Sequence, residues 1–223
     1  LLFKMNYTEF KQIIPKLKLT NLNSKVSQLK LAPSFRKDFI KLYQKTKINS
    51  KKAAVIALLY PDENNSMRLI LILRNTYNGV HSNQVGFPGG RVEVSDNTMF
   101  DTASRETFEE IGIRVDKTSL IRELERLFIP PSNFDVNPFL AYIDYQPLFI
   151  KDDIEVKEVI TIDLESLLNS EINQISILVP DKLIDLYDNE SRLVPSFKLG
   201  GYNVWGATAM MLSEIKDLIK NVI

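Results

Sequence analysis

The sequence contains no cysteine and only one histidine, His81. The lack of cysteine excludes a disulfide scaffold, a thiolate zinc site, an iron–sulfur cluster and a cysteine nucleophile. A single histidine argues against a multi-histidine metal site and against a Ser-His-Asp triad. Hydrolytic chemistry in such a chain has to rely on carboxylates, which favour a hard cation such as Mg²⁺ or Mn²⁺.

Long hydrophobic runs are also missing, because no apolar stretch reaches the roughly 18 residues that a membrane span needs. The apolar stretch over residues 1–7 is too short for a secretory signal. We therefore expect a cytoplasmic protein that binds neither membrane nor nucleic acid. The acid-poor N-terminal region leaves the mitochondrial matrix as an alternative location.

The net charge of zero conceals an uneven distribution. Residues 1–52 contain 13 basic residues (Lys and Arg) and two acidic residues (Asp and Glu). Residues 53–223 contain 15 basic and 26 acidic residues. This boundary predicts a basic, partly helical N-terminal extension over residues 1–52 and a separate folded domain over residues 53–223. We expect the extension to pack against the acidic body through its apolar residues; the alternative is that it attracts an anionic substrate.

Hydrophobic patterning predicts a mixture of helices and strands. Helices are predicted over residues 6–18, 35–43, 98–111, 163–168 and 207–222. Strands are predicted over residues 53–59, 69–73, 120–129, 136–143 and 155–162. The first two strands form a hairpin, and the mixed order of elements favours a mixed sheet with helices on both faces.

Two stretches lack such a pattern. Residues 19–33 are rich in Asn, Ser and Lys and are predicted to form a linker. Residues 75–96 hold four of the eight glycines and are predicted to form a long loop. Within this loop, the Phe-Pro-Gly-Gly turn over residues 87–90 lets the backbone approach a ligand closely.

Three glutamates share one face of the helix predicted over residues 98–111. Glu106, Glu109 and Glu110 fall within an arc of about 100°, because positions three and four apart share a face. Such a cluster is either a solvated acidic face or a cation site. The glycine-rich turn before the helix and Gly112 directly after the glutamates favour the cation site, and all-oxygen ligands favour Mg²⁺ or Mn²⁺.

The stretch from Gly89 to Ile113 resembles the Nudix box, G-x5-E-x7-R-E-U-x-E-E-x-G-U, where U is a bulky apolar residue. The second half of the box is matched at Arg105, Glu106, Glu109, Glu110, Gly112 and Ile113. In the first half, Asp96 stands where the box has Glu, and the gap from Asp96 to Arg105 is one residue longer.

These departures resemble the coenzyme A pyrophosphatase branch of the Nudix hydrolases, whose two acidic positions fall here on Glu93 and Asp96. The branch's upstream signature is matched in part, at Arg74 and His81, although Gly79 stands where that signature has Arg. Its C-terminal motif is matched over residues 202–209. The resemblance covers residues 53–219, most of the chain.

This resemblance implies an α/β fold, the Nudix α/β/α sandwich with a mixed β-sheet. It also implies hydrolysis of the pyrophosphate of coenzyme A or acyl-CoA to 3′,5′-ADP and (acyl-)4′-phosphopantetheine. Two alternatives stay open: another nucleoside diphosphate derivative such as NADH or ADP-ribose, and a non-catalytic nucleotide-binding module. The sequence does not decide between a monomer and a homodimer.

The resemblance implies roles for particular residues. Glu106, Glu109 and Glu110 hold Mg²⁺ or Mn²⁺, and Arg105 belongs to the catalytic machinery by orienting these glutamates. Glu155 is the candidate general base or a further ligand, and Glu109 is the rival base.

Substrate contacts are predicted for the residues around the glycine-rich turn. These residues are Arg74, His81, Gly89, Gly90 and Arg91. The alternative for the two arginines is a surface ion pair, and the alternative for His81 is packing within the loop. Trp205 is assigned to core packing in preference to stacking on a base.

Overall fold

The computed structural model describes residues 5–46, 49–75, 83–178 and 191–223. Its helices are α1 (Tyr7–Leu19), α2 (Ser24–Leu29), α3 (Arg36–Thr46), α4 (Met99–Ile111), α5 (Leu164–Asn169) and α6 (Gly206–Lys220). Its strands are β1 (Lys51–Pro61), β2 (Met67–Arg74), β3 (Val85–Gly86), β4 (Gly89–Arg91), β5 (Leu120–Glu123), β6 (Leu127–Ile129), β7 (Phe134–Tyr142), β8 (Val156–Asp163), β9 (Asn173–Leu178), β10 (Ser191–Leu199) and β11 (Tyr202–Trp205). Short 3₁₀ turns span Lys117–Ser119 and Pro130–Ser132.

One mixed sheet organises the fold. Its main strand order is β3-β2-β1-β7-β5, and β4, β6 and β8 pair with β1, β7 and β2 respectively. Strands β1 and β7 are parallel, whereas the predicted β1–β2 hairpin is antiparallel. Because both faces of β1 are covered, its sequence is a continuous apolar run without a polar alternation.

Alternate residues of the central strands build two separate cores, since successive side chains point to opposite faces of a sheet. Ile56 and Ile70 pack with Phe100 on the face that α4 covers. Leu59 and Leu71 pack on the other face, in the core that also receives α1, α5 and α6. The sandwich of helices around a mixed sheet is therefore confirmed.

The predicted linker over residues 19–33 is wrong at Ser24–Leu29, which forms α2. A helix this short is marginal in isolation. Here tertiary contacts with α6 stabilise it: the Ser213 hydroxyl donates to the Ser27 carbonyl (2.7 Å), and the Gln28 amide donates to the Glu214 carboxylate (2.9 Å).

The prediction of one long loop over residues 75–96 is also wrong in part. Val85–Gly86 pairs with β2, and Gly89–Arg91 pairs with β1. These strands are too short to carry an alternating pattern, and partners distant in sequence supply their hydrogen bonds. The small antiparallel sheet β11-β10-β9 was likewise not predicted.

The basic N-terminal segment contributes directly to the core. A capping box starts α1: the Glu9 amide donates to the Asn6 side chain (3.0 Å), and the Asn6 amide donates to the Glu9 carboxylate (2.9 Å). Phe10 and Leu17 are fully buried against the sheet. The expected packing of the extension on the body is therefore present, while the division at residue 52 stays a prediction. Among the described residues, no helix is both long and apolar enough to cross a membrane.

We expect Phe10→Ala to lower the free energy of unfolding by about 3–5 kcal/mol, because the substitution leaves a cavity in the main core. Leu19→Ala is the matched control at the end of the same helix, where the side chain is 86% exposed; its effect should stay within about 0.5 kcal/mol. Urea unfolding measures both. Equal midpoints for the two variants would show that α1 is not part of the cooperative fold.

Candidate active site

The two ends of α4 fix the register of its glutamates. The Thr98 hydroxyl accepts a hydrogen bond from the Asp101 amide (3.1 Å) at the start of the helix. Gly112 ends the helix in the left-handed conformation, with φ 77°. The resulting register buries the side chain of Glu110, which is 1% exposed, and leaves that of Glu109 55% exposed.

The buried carboxylate of Glu110 connects α4 to the sheet. It accepts a hydrogen bond from the Gly89 amide (2.7 Å) and pairs with the Arg74 guanidinium (3.2 Å). Arg74 also donates to the Gly89 carbonyl (2.8 Å). Burial raises the pKa of Glu110 to about 7, although the charge of Arg74 and the Gly89 hydrogen bond act in the opposite direction.

Two adjacent glycines allow α4 to approach β4. A methyl group on Gly90 would overlap the carboxylate of Glu106, so any larger residue would displace this side chain. Gly89 has φ +142°, and a methyl group there would collide with the backbone of Ala54 and Val55. The glycines were predicted to contact substrate; the structure shows that they also make room for the glutamate and the neighbouring strand.

Arg105 is the centre of an ion-pair network. Its Nε and Nη2 both contact the Asp96 carboxylate (3.0 Å each), and its Nη1 contacts Glu106 (3.1 Å) and Glu109 (2.8 Å). Its Nη2 also donates to the Arg91 carbonyl (3.0 Å). The hydrogen bonds from Arg105 lower the pKa of Asp96 to about 2. Asp96 therefore anchors the arginine, and the arginine in turn contacts Glu106 and Glu109; its predicted role in orienting the metal ligands stays a prediction.

Three carboxylates converge on one point. Each of Glu106, Glu110 and Glu155 offers an oxygen within 4.8 Å of the others, in the part of the chain that the structure describes. Glu155 reaches this point because it directly precedes β8, and β8 pairs with β2 beside Arg74. Burial raises the pKa of Glu106, with Arg105 opposing the shift and Glu109 and Glu155 adding to it. Such a concentration of negative charge is suited to a hard divalent cation.

Glu109, predicted both as a ligand and as a rival base, lies outside this group of three. Its carboxylate pairs with Arg105 at the exposed edge of α4. Arg74, predicted as a substrate contact, is engaged by Glu110 and Gly89. The backbone of Arg91 is held by Arg105, and its exposed side chain lines the neighbouring cleft. His81 lies outside the described residues.

A cleft of about 910 Å³ opens beside the carboxylates. Glu106 and Glu155 line one part of it, together with Gly90 and Arg91. Much of the remaining wall is apolar, and part of it comes from three regions of the chain: α3 with the residue before it, the 3₁₀ turn over Pro130–Ser132 and the junction of β11 with α6. The residues that these regions contribute are Phe35, Arg36, Phe39, Pro130, Pro131, Trp205, Gly206, Ala207 and Thr208.

The cleft changes the interpretation of two parts of the sequence. Trp205 is half-buried, packs near Phe39 and also faces the cleft, so core packing does not account for all of its surroundings. The contribution of α3 was missed, because its aromatic residues were assigned to packing alone. One signal was available: Arg36 is the only arginine among the first 52 residues, and it is flanked by Phe35 and Phe39.

Comparison with known proteins identifies the family. The family model described as NUDIX domain matches residues 50–187, more than half of the chain. The chain belongs to the Nudix family. The crystal structure of a MutT/nudix family protein from Enterococcus faecalis has the same fold, with a TM-score of 0.51 and 16% identity, over 97% of this chain and 75% of that one.

Curated Nudix relatives match part of the chain. Nudix hydrolase 3 from Caenorhabditis elegans is 32% identical over 54% of this chain and 50% of its own length. The mitochondrial coenzyme A diphosphatase NUDT8 from Mus musculus is 30% identical over 60% of this chain and 61% of its own length. The peroxisomal coenzyme A diphosphatase ndx-8 from Caenorhabditis elegans is 25% identical over 71% of this chain and 64% of its own length. The chain spans about half to two thirds of the length of these relatives.

We expect the metal-free protein to lose stability as the pH rises from about 4.5 to about 7. The pKa of Glu110 is about 7 in the folded protein and has an ordinary value of 4.5, so the folded state retains a proton that the unfolded chain releases. Below this window both states are protonated, and the effect disappears. Urea unfolding in EDTA at pH 5 and pH 7.5 measures the loss.

Glu110→Gln should reduce this pH dependence, since glutamine keeps the side-chain shape and does not titrate. Glu63→Gln is the matched control, because Glu63 is exposed in the turn between β1 and β2. An unchanged pH dependence in Glu110→Gln would contradict the assignment of the proton to this buried carboxyl group.

Proposed function

We propose that the chain hydrolyses the pyrophosphate of coenzyme A or acyl-CoA, releasing 3′,5′-ADP and (acyl-)4′-phosphopantetheine. The observation that carries the proposal is the convergence of Glu106, Glu110 and Glu155 at one end of a large cleft. The match to the Nudix family supports the reaction class. The similarity to two proteins named as coenzyme A diphosphatases supports the choice of substrate.

The donor set fits Mg²⁺ or Mn²⁺, because the converging groups are all carboxylate oxygens. Glu106, Glu110 and Glu155 would hold the cation, with Glu109 as a further predicted ligand at the exposed edge. The bound ion would neutralise phosphate charge and lower the pKa of a water molecule. Mg²⁺ acidifies water less than Zn²⁺ does, so a carboxylate base remains useful.

In the reaction, the oxygen of a water molecule bonds to one phosphorus atom of the pyrophosphate, and the bond from that phosphorus to the bridging oxygen breaks. Each product keeps one of the two phosphates of the pyrophosphate. Glu155 is our candidate for the group that accepts the proton of the attacking water, and Glu109 is the rival. Arg105 is a positioning residue, because its guanidinium holds the carboxylates of Glu106 and Glu109 and is anchored by Asp96. Arg74 positions Glu110 in the same way.

The proposed binding partner is a small molecule. We propose that the protein acts in the cytoplasm. Two of the similar proteins are named as mitochondrial and peroxisomal, so the mitochondrial matrix remains the alternative. NADH and ADP-ribose remain the alternative substrates, since each contains a pyrophosphate attached to adenosine, as coenzyme A does.

A substrate panel separates these possibilities. We expect chromatography to detect 3′,5′-ADP when the purified chain is incubated with coenzyme A or acetyl-CoA and Mg²⁺ or Mn²⁺, and to detect none in EDTA. NADH and ADP-ribose are included under the same conditions. Hydrolysis of NADH or ADP-ribose alone would reject the proposed substrate, and the absence of all hydrolysis would favour a binding module.

Glu155→Gln should lower kcat by about 10²–10⁴-fold with little change in Tm, because a missing general base slows proton transfer without removing core packing. Glu158→Gln is the matched control. Glu158 lies on the same strand, but its carboxylate accepts a hydrogen bond from the Tyr202 hydroxyl (2.6 Å) and lies outside the converging group. A large loss in Glu109→Gln with near-normal kcat in Glu155→Gln would assign the base to Glu109 instead.

A further inference from the structure

The cleft that Glu106 and Glu155 line also reaches the first turn of α3. Arg36 and its neighbours Phe35 and Phe39 line the same cavity as Glu106 and Glu155. This helix precedes the family match, which begins at residue 50. One part of the cleft wall therefore comes from a segment that lies outside the family match.

The structure holds this wall in a defined position. The rings of Phe35 and Phe39 pack edge to face, with centroids 6.1 Å apart. Both are buried in a cluster with Val194, and α3 packs on the 3₁₀ turn Pro130–Ser132. A side chain at the start of α3 is consequently presented to the cleft by a packed helix.

Arg36 differs from Arg74 and Arg105, whose guanidinium groups are both engaged by carboxylates. Arg74 pairs with Glu110, and Arg105 pairs with Asp96 and two glutamates. Among the side chains of residues 5–42, 49–75, 83–178 and 191–223, none forms a hydrogen bond or ion pair with the Arg36 guanidinium. Burial lowers the pKa of Arg36, and no carboxylate among the described residues offsets this effect.

A half-buried cation without a counterion is unfavourable, and an anionic ligand in the cleft would supply the missing charge. The planar guanidinium suits a phosphate because it can form two parallel hydrogen bonds to its oxygens. In the proposed function the hydrolysed pyrophosphate lies against Glu106 and Glu155, and Arg36 belongs to a different segment of the cleft wall. The anion that meets Arg36 is thus a second one on the same substrate.

We infer that Arg36 binds a phosphate group of the substrate that is remote from the hydrolysed pyrophosphate, which makes α3 a specificity-determining wall of the cleft. This inference rests on the proposed function. In the proposed substrate the remote group is the 3′-phosphate of the ribose, and the apolar residues beside Arg36 face the nucleoside that carries it.

Binding without turnover tests the inference directly. The probes are 3′,5′-ADP and 5′-AMP, which differ only in the remote phosphate, and isothermal titration gives their Kd values in Ca²⁺ buffer. We expect the wild type to bind 3′,5′-ADP more tightly than 5′-AMP. Arg36→Gln should weaken the binding of 3′,5′-ADP by about tenfold or more and leave 5′-AMP within about twofold, as expected for one charge-assisted contact.

Lys37→Gln is the matched control, because Lys37 is the next residue of α3 and is exposed. It should bind both nucleotides as the wild type does. Arg36→Lys keeps the charge but loses the planar fork, and we expect an intermediate affinity for 3′,5′-ADP. In steady-state assays, Arg36→Gln should raise KM for coenzyme A about tenfold with kcat within twofold.

Equal weakening for both nucleotides, or no weakening for either, would overturn the inference. A Tm within about 2 °C of the wild type shows that Arg36→Gln is folded; if it is not, Arg36→Lys carries the test. A failure of the proposed function can be distinguished from a failure of this inference. If coenzyme A is not hydrolysed but Arg36→Gln still loses affinity for 3′,5′-ADP selectively, the phosphate contact stands and only the substrate is rejected.

Discussion

The candidate site depends on one buried carboxylate. Glu110 lies on the packed face of α4, where desolvation opposes its ionisation, and only Arg74 and the Gly89 amide offset that cost. These two partners belong to the end of β2 and the start of β4. A single side chain therefore fixes the helix relative to two strands and, in doing so, determines where Glu106 meets Glu155.

The other charges of the site are arranged around this fixed point. Arg105 donates two hydrogen bonds to Asp96, and its Nη1 donates to Glu106 and Glu109. The two arginines do not neutralise the five carboxylates that surround them, counting Glu155. The excess negative charge lies at the end of the cleft, so a divalent cation would relieve repulsion that the protein's own side chains leave in place.

Local signals were sufficient to predict α4 and the shared face of its glutamates, because the spacing of the glutamates and the terminal Gly112 both lie within the helix or beside it. The cap at Thr98 was not recognised, and the helix begins one residue later than predicted. The ion pair between Arg74 and Glu110 was not predicted, since it requires the strand pairing that brings distant segments together. The same reason explains the failure at β3 and β4, whose partners are remote in sequence. Glu155 was selected through resemblance, and the site assignments beyond the observed contacts remain predictions.

The segregated charge of the sequence has a structural consequence that composition does not show. The basic segment places α1 in the main core and α3 at the cleft, so its residues stabilise the sheet and also form part of the cleft wall. An arginine held beside buried aromatic rings is more weakly screened than an exposed lysine. In the proposed function the carboxylates bind a cation and Arg36 binds an anion, and a substrate with phosphates at two separated positions would meet both groups at once.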